Sequence, residues 1–365
     1  MVYKFEKPYF FAFFGVCIQA LKREVNSFQL STMKILYAVQ GTGNGHLSRA
    51  MDVVPCLQKR ADVDVLVSGI QADLELPFAV KYRMHGLSFI FGKKGGVDLW
   101  KTFMSSTVRR LVHEVNTLPI ENYDLVINDF EPISAWACST REKLCIGLSH
   151  QAAAMDVQAP KPKDQDMLGK FIMRNYAPAS INYGFHFKRY NDRIFTPVIR
   201  QQVRRLDVRD LGHYTVYLPA YDDARLLKQL MRFPDIRWEV FSKHNKTPFV
   251  LRNVSVQPIA NEKFIQSMAT SAGVLCGAGF ETPAEALYLR KKLLVVPMKN
   301  QYEQHLNAAA LEELGVPVIK SLKPKNDVAI EAWLNSRHAV AVDYPDCTQA
   351  IVDDLLEVHL PKTVV

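Results

Sequence analysis

Two stretches of this chain repeat one rhythm: a short unbroken apolar run, a turn, then an amphipathic segment. The first begins at Lys34–Val39, turns through Gly41-Thr-Gly-Asn-Gly-His46, and continues as Leu47–Arg60 and the run Val63–Ser68. Asp124–Asn128 and Leu144–Leu148 follow as further apolar strands. Strands that are apolar without alternation are buried on both faces, and helices between them imply parallel pairing. Weaker strand patterns lie at Ile181–Phe187 and Arg193–Phe195, after a proline-containing loop at 157–167. The rhythm restarts at His213–Pro219 and runs through Asp222–Arg232, Arg237–Phe241, Val254–Gln257, Glu262–Ala269 and Gly273–Cys276. This predicts an α/β fold of two Rossmann-like parallel-sheet domains facing a cleft.

The expected organisation follows. Residues 1–32 form an apolar N-terminal extension, 33–197 an N-terminal domain, 198–212 a polar, basic linker, and 213–365 a C-terminal domain ending in helices at 327–335 and 346–358. A kink is expected at Pro55 inside the first helix. The apolar run at 8–21 follows Lys4 and Lys7 and is too short to span a bilayer comfortably. The leading reading is that translation starts at Met33, where a clean strand begins. A monotopic anchor is the second reading.

With 365 residues, 48% of them hydrophobic, the chain can fill two cores. A formal charge of +8 favours anionic partners. The basic residues are dispersed and no RNA- or DNA-binding motif is present, which argues against nucleic acid. None of the six cysteines forms a Cys-x-x-Cys pair. Scattered thiols in a long chain read as a reduced, cytoplasmic protein without structural zinc.

Chemistry concentrates in two places. Gly277-Ala-Gly279-Phe280-Glu281-Thr282-Pro-Ala-Glu285 is a glycine turn opening a helix, with a carboxylate one turn inside. Helix N-termini present unpaired N–H groups that hold phosphate, and Glu285 could accept hydrogen bonds from ribose hydroxyls. After the strand at Val295, a loop supplies Gln301, Glu303 and Gln304, whose side chains suit sugar hydroxyls. In the first domain, Gly41, Thr42, Gly43, Asn44 and Gly45 form a glycine loop before His46. It is neither a dinucleotide fingerprint nor a P-loop, because His46 stands where the last glycine belongs and no Gly-Lys-Ser/Thr follows.

The stretch Gly279–Glu285, followed by Glu303-Gln304 and Asn307-Ala308, resembles the donor signature of GT-B-fold glycosyltransferases, the group of MurG and the plant and bacterial UDP-glycosyltransferases. The glycine loop resembles the Gly-Gly-Thr-Gly-Gly-His loop of MurG-like enzymes, departing from it at Gln40 and Asn44. The resemblance implies a GT-B architecture and transfer of a sugar from a nucleotide diphosphate donor, UDP-linked, to an acceptor hydroxyl with inversion. It implies His46 as general base, oriented by a carboxylate from another strand end: Asp129 first, Glu131 as understudy. A histidine that only caps the loop is the plainer reading of His46, and a turn or cap former that of Asp129. His150 is a further candidate for the cleft. The resemblance implies no bound metal and no cofactor, the nucleotide sugar being a co-substrate; Asp222-Asp223 reads as a helix cap. Phe89–Met104 interleaves aromatics with lysines, a pattern suited to a lipid or lipid-linked acceptor, or to peripheral contact with the inner face of a membrane, as well as to an ordinary strand, loop and helix. Two rival functions stay open: a UDP-N-acetylglucosamine epimerase of the same fold, and a non-catalytic nucleotide-sugar-binding protein.

Overall fold

The computed structural model of the protein describes residues 33–42, 44–69, 76–87, 106–163 and 166–359. The apolar extension at 1–32 and the aromatic–lysine stretch at 89–104 lie outside them.

The first half runs β1 (Lys34–Gln40), α1 (Asn44–Gln58), β2 (Asp62–Ser68), β3 (Tyr82–Met84), α2 (Ser106–Thr117), β4 (Leu125–Asp129), α3 (Pro132–Thr140), β5 (Cys145–Leu148), α4 (His150–Met155), α5 (Met167–Tyr176), β6 (Ile181–Phe185) and β7 (Ile194–Phe195). Its sheet has the order β3-β2-β1-β4-β5-β6-β7, with every pairing parallel. The residues of β1 explain its central place. Ile35, Tyr37 and Val39 pack on one side with Leu47, Ala50, Val53 and Val54 of α1. Leu36 and Ala38 pack on the other with Ile133 and Ala137 of α3. An unbroken apolar run thus splits, residue by residue, between two helical layers. The kink expected in α1 does not end it: the helix continues through Pro55 to Gln58.

A single turn, α6 (Gln201–Arg204), interrupts the basic connection and buries Val203. The second half contains β8 (His213–Tyr217), α7 (Asp223–Leu230), β9 (Arg237–Ser242), β10 (Phe249–Leu251), β11 (Val254–Pro258), α8 (Asn261–Thr270), β12 (Gly273–Gly277), α9 (Glu281–Tyr288), β13 (Lys292–Val296), α10 (Tyr302–Glu313), α11 (Asp327–Asn335) and α12 (Thr348–His359). Its sheet has the order β10-β11-β9-β8-β12-β13. Only β10, an exposed edge strand without a sequence forecast, pairs antiparallel.

The last helix departs from the expected grouping. The sequence groups α12 with the C-terminal domain, but it lies on α1. Gln349 Nε2 donates to the Cys56 carbonyl of α1 at 3.5 Å, and just past the end of that helix Lys59 bonds Gln349 at 3.0 Å and Arg60 bonds Asp353 at 2.7 Å. At its far end His359 Nε2 meets the Tyr183 hydroxyl of β6 at 2.9 Å. Its apolar stripe, Ile351, Val352, Leu355 and Leu356, joins the cluster that holds β1 and α1.

Strand order reverses between β1 and β4 in one sheet and between β8 and β12 in the other. Loops leaving such strands diverge to opposite faces and open a crevice. The glycine loop, Asp129 and the Gly277 turn all sit at these points. Among the described residues, no helix is long and apolar enough to cross a membrane.

Candidate active site

The glycine loop is pressed onto β2. A Cβ at Gly41 would stand 2.8 Å from Val67 Cγ1 and 3.0 Å from the Ser68 carbonyl oxygen, so only glycine passes there. Gln40 Nε2 donates to Thr42 Oγ1 at 2.9 Å. Gly43 lies outside the described residues. This close turn sets the start of α1 above the end of β4, with His46 in its first turn.

Asp129 is the last residue of β4 and is fully buried. Phe130 next to it adopts φ 56°, a left-handed conformation that a bulky residue takes only under constraint. The constraint is Glu131, which caps α3: its carboxylate accepts from the Ile133 and Ser134 amides at 2.8 and 2.7 Å, and from Ser134 Oγ at 2.6 Å. Glu131, the understudy for orienting the histidine, is spent on this cap and does not bond His46. The tight reversal points the Asp129 carboxylate at α1, where His46 Nδ1 stands 2.8 Å from its Oδ1. A carboxylate only accepts, so the proton of this contact sits on Nδ1 and Nε2 presents its lone pair. Arg49 Nη2 also stands 3.1 Å from Nδ1, but its shorter bond is the 2.7 Å one to Asp129. Phe130 lies parallel to the His46 ring at 6.3 Å between centroids and packs on Tyr176 at 4.8 Å.

Arg49, three residues after His46, was not singled out in the sequence. It is buried, and its Nε and Nη2 donate to Asp129 at 2.9 and 2.7 Å. Burial alone would raise the Asp129 pKa, but the Arg49 charge, then His46, outweigh it and hold the group at about 2. Arg49 Nη1 also donates to Glu281, the first residue of α9. One guanidinium therefore ties the histidine–aspartate pair to the second domain. The available signal was a basic residue on the apolar stripe of α1, between Leu47 and Ala50.

Across the cleft, the Gly277 turn keeps its backbone open: a Cβ at Gly279 would meet nothing within 4 Å. It borders a cavity of about 80 Å³ with Tyr217, Pro219, Tyr221, Thr282, Met298 and Gln304. Gln304 Oε1 accepts from the Met298 amide at 2.8 Å and so shapes the rim. Gln301 precedes α10, and Glu303 lies in its first turn. Phe280 is buried and stacks on His150 at 3.8 Å and 8°. His150, a candidate for the cleft, is a latch instead. Its Nδ1 is 2.9 Å from the Phe185 carbonyl and its Nε2 2.6 Å from Asn307 Oδ1, so neither nitrogen is available to a substrate. Asn307 Nδ2 in turn donates to the Ala278 carbonyl at 3.0 Å, fixing the turn.

Glu285 departs most from expectation. It is buried, and Arg200 of the interdomain connection grips both carboxylate oxygens at 2.5 and 2.8 Å. In this state its carboxylate faces the linker rather than the cavity. Glu281 and Glu285, one helical turn apart, each meet an arginine from outside their own domain. Asp222 caps α7 as forecast, accepting from the Arg225 amide at 2.9 Å. Among the described residues, no group of three or more His, Cys, Asp or Glu side chains is placed to hold a metal ion.

The family model described as "Glycosyl transferase family 1" matches residues 33–336. No curated protein sequence matches the chain. Among solved structures, LpCGTa in complex with UDP is similar, with 11% identity and a TM-score of 0.60 over 91% of this chain and 100% of that one. Arabidopsis thaliana UGT89C1 complexed with UDP has 14% identity and a TM-score of 0.55, over 90% and 94%. Acinetobacter baumannii MurG has 12% identity and a TM-score of 0.52, over 89% and 99%. At such identities the shared property is the fold, the GT-B arrangement of two mainly parallel sheets.

Proposed function

We propose a reaction that starts from one established premise: this chain belongs to glycosyl transferase family 1, and so it transfers a sugar. The donor in our reading is a UDP-linked sugar, and transfer to an acceptor hydroxyl inverts the anomeric centre. Two similar folds hold UDP, and the Gly277–Gly279 turn offers an open approach to the N-terminus of α9, suited to a diphosphate.

The observation that carries the reading is the 2.8 Å contact between His46 Nδ1 and Asp129, held beside the donor helix through Arg49 and Glu281. With Nδ1–H given to Asp129, Nε2 takes the proton of the acceptor hydroxyl. The oxygen attacks the anomeric carbon opposite the diphosphate, the carbon–oxygen bond to UDP breaks, and the electron pair leaves with UDP. Asp129 stabilises the imidazolium formed in that step, and Arg49 keeps Asp129 ionised. The acceptor in this reading is apolar. Met167, Leu168 and Phe171 of α5 are exposed, on a helix whose Tyr176 packs under Phe130.

Calorimetry with UDP, UDP-glucose and UDP-N-acetylglucosamine tests the donor. His46→Ala should bind UDP normally while turnover falls about 10²–10⁴-fold, the range for a lost general base. Near-normal turnover in that variant would sink the mechanism.

A further inference from the structure

Gln151 is the residue that meets the working nitrogen of the proposed base. It stands in the first turn of α4, one residue after His150, and is 4% exposed. Its Nε2 lies 3.2 Å from His46 Nε2. With Nδ1–H committed to Asp129, that ring nitrogen is an acceptor, so the amide N–H donates to it. The other end of the same amide, Oε1, is buried without a hydrogen-bond partner. A buried carbonyl oxygen left unpaired carries a desolvation cost that a partner would relieve.

We propose that Gln151 is a positioning residue that caps the base in the empty cleft and hands it to the acceptor; this rests on His46 being the base. The amide N–H occupies the place of the acceptor O–H. A water molecule that wanders in therefore finds no free base, and the donor is protected from hydrolysis. An acceptor displaces the amide from Nε2, and the freed side chain turns its unpaired Oε1 to a donor group on that acceptor. Water can use the same machinery once the cap is gone. Its proton passes to His46 Nε2, its oxygen bonds to the anomeric carbon, and the bond to UDP breaks with the electron pair leaving on UDP.

The test needs no acceptor. UDP release from UDP-glucose and from UDP-N-acetylglucosamine is measured in wild type and Gln151→Ala, alongside UDP affinity. Release should rise about two- to ten-fold at unchanged UDP affinity, the factor expected when one hydrogen bond no longer has to break first. Gln151→Glu should reduce release, because a carboxylate facing Nε2 holds a proton there. Equal or slower release in Gln151→Ala overturns the proposal. The contact is read separately from the ¹⁵N resonances of the His46 ring. An Nε2 resonance that does not move in Gln151→Ala also overturns it, whatever the donor chemistry. A moved resonance in a protein that binds neither UDP-linked sugar supports the contact and refutes the reading of the donor as UDP-linked instead.

Discussion

Arg49→Met removes the cation that compensates a fully buried carboxylate of the site, Asp129. Arg49 and Asp129 have 2% and 0% of their side chains exposed, and two short hydrogen bonds join them. Without the guanidinium, Asp129 keeps His46 and a 3.4 Å contact from the Tyr37 hydroxyl. Burial, the largest influence on its pKa, then acts with much less opposition. In the wild type Asp129 is lowered from 3.8 to about 2, equivalent to roughly 2–3 kcal/mol of stabilisation at neutral pH. That contribution is present above the unfolded value and is lost as pH falls through the folded one. Truncating one partner of a buried pair costs about 3–5 kcal/mol. The Glu281 bond adds little, since that carboxylate is 23% exposed. Urea denaturation at pH 7 should therefore place Arg49→Met about 3–5 kcal/mol below wild type. Asp129→Asn in the Arg49→Met background should recover part of the loss, because an amide is cheaper to bury than an unpaired charge. A loss below about 1 kcal/mol, or strictly additive single and double variants, would refute the ion pair as the support of the site.

The other predictions are independent of it. Glu285→Ala should weaken UDP binding by about ten-fold or more if Arg200 yields the carboxylate to a ribose; an unchanged Kd in a folded variant leaves Glu285 as an interdomain tie only. Asp52 is pushed up to about 6, by burial first and by Asp346 next, so its contribution is present below about 3.8 and lost as pH rises through about 6. Asp52→Asn should accordingly raise Tm at pH 7–8 and show no advantage at pH 4; equal gains at both would refute that assignment. Gly184→Ala should destabilise by about 1–3 kcal/mol in urea, because its Cβ would fall 2.6 Å from the Ser149 carbonyl oxygen and 2.7 Å from the Ala153 nitrogen.

What the sequence determined by itself was local. Unbroken apolar runs at Lys34–Val39 and Gly273–Cys276, each followed by a glycine turn and an amphipathic stretch, specify parallel strands covered on both faces, because the alternation of side chains is fixed by the backbone. The same locality placed His46 in the first turn of a helix and Asp129 at a strand end. The reversal of strand order at β1 and β4 then brings the two together, and a βαβ pattern implies such a crevice. Partners chosen across the cleft were not legible. Arg49 reads as an ordinary helix residue until Asp129, 80 positions away, and Glu281, 232 positions away, approach it. Glu285 looks equally suited to a ribose until Arg200 takes both of its oxygens. Gln151 carries no pattern at all, and α12 reads as an ordinary C-terminal helix until it lies on α1. Periodicity encodes which face of an element is apolar. Which charge meets which charge depends on how two rigid sheets are set against each other, and only the tertiary structure decides that.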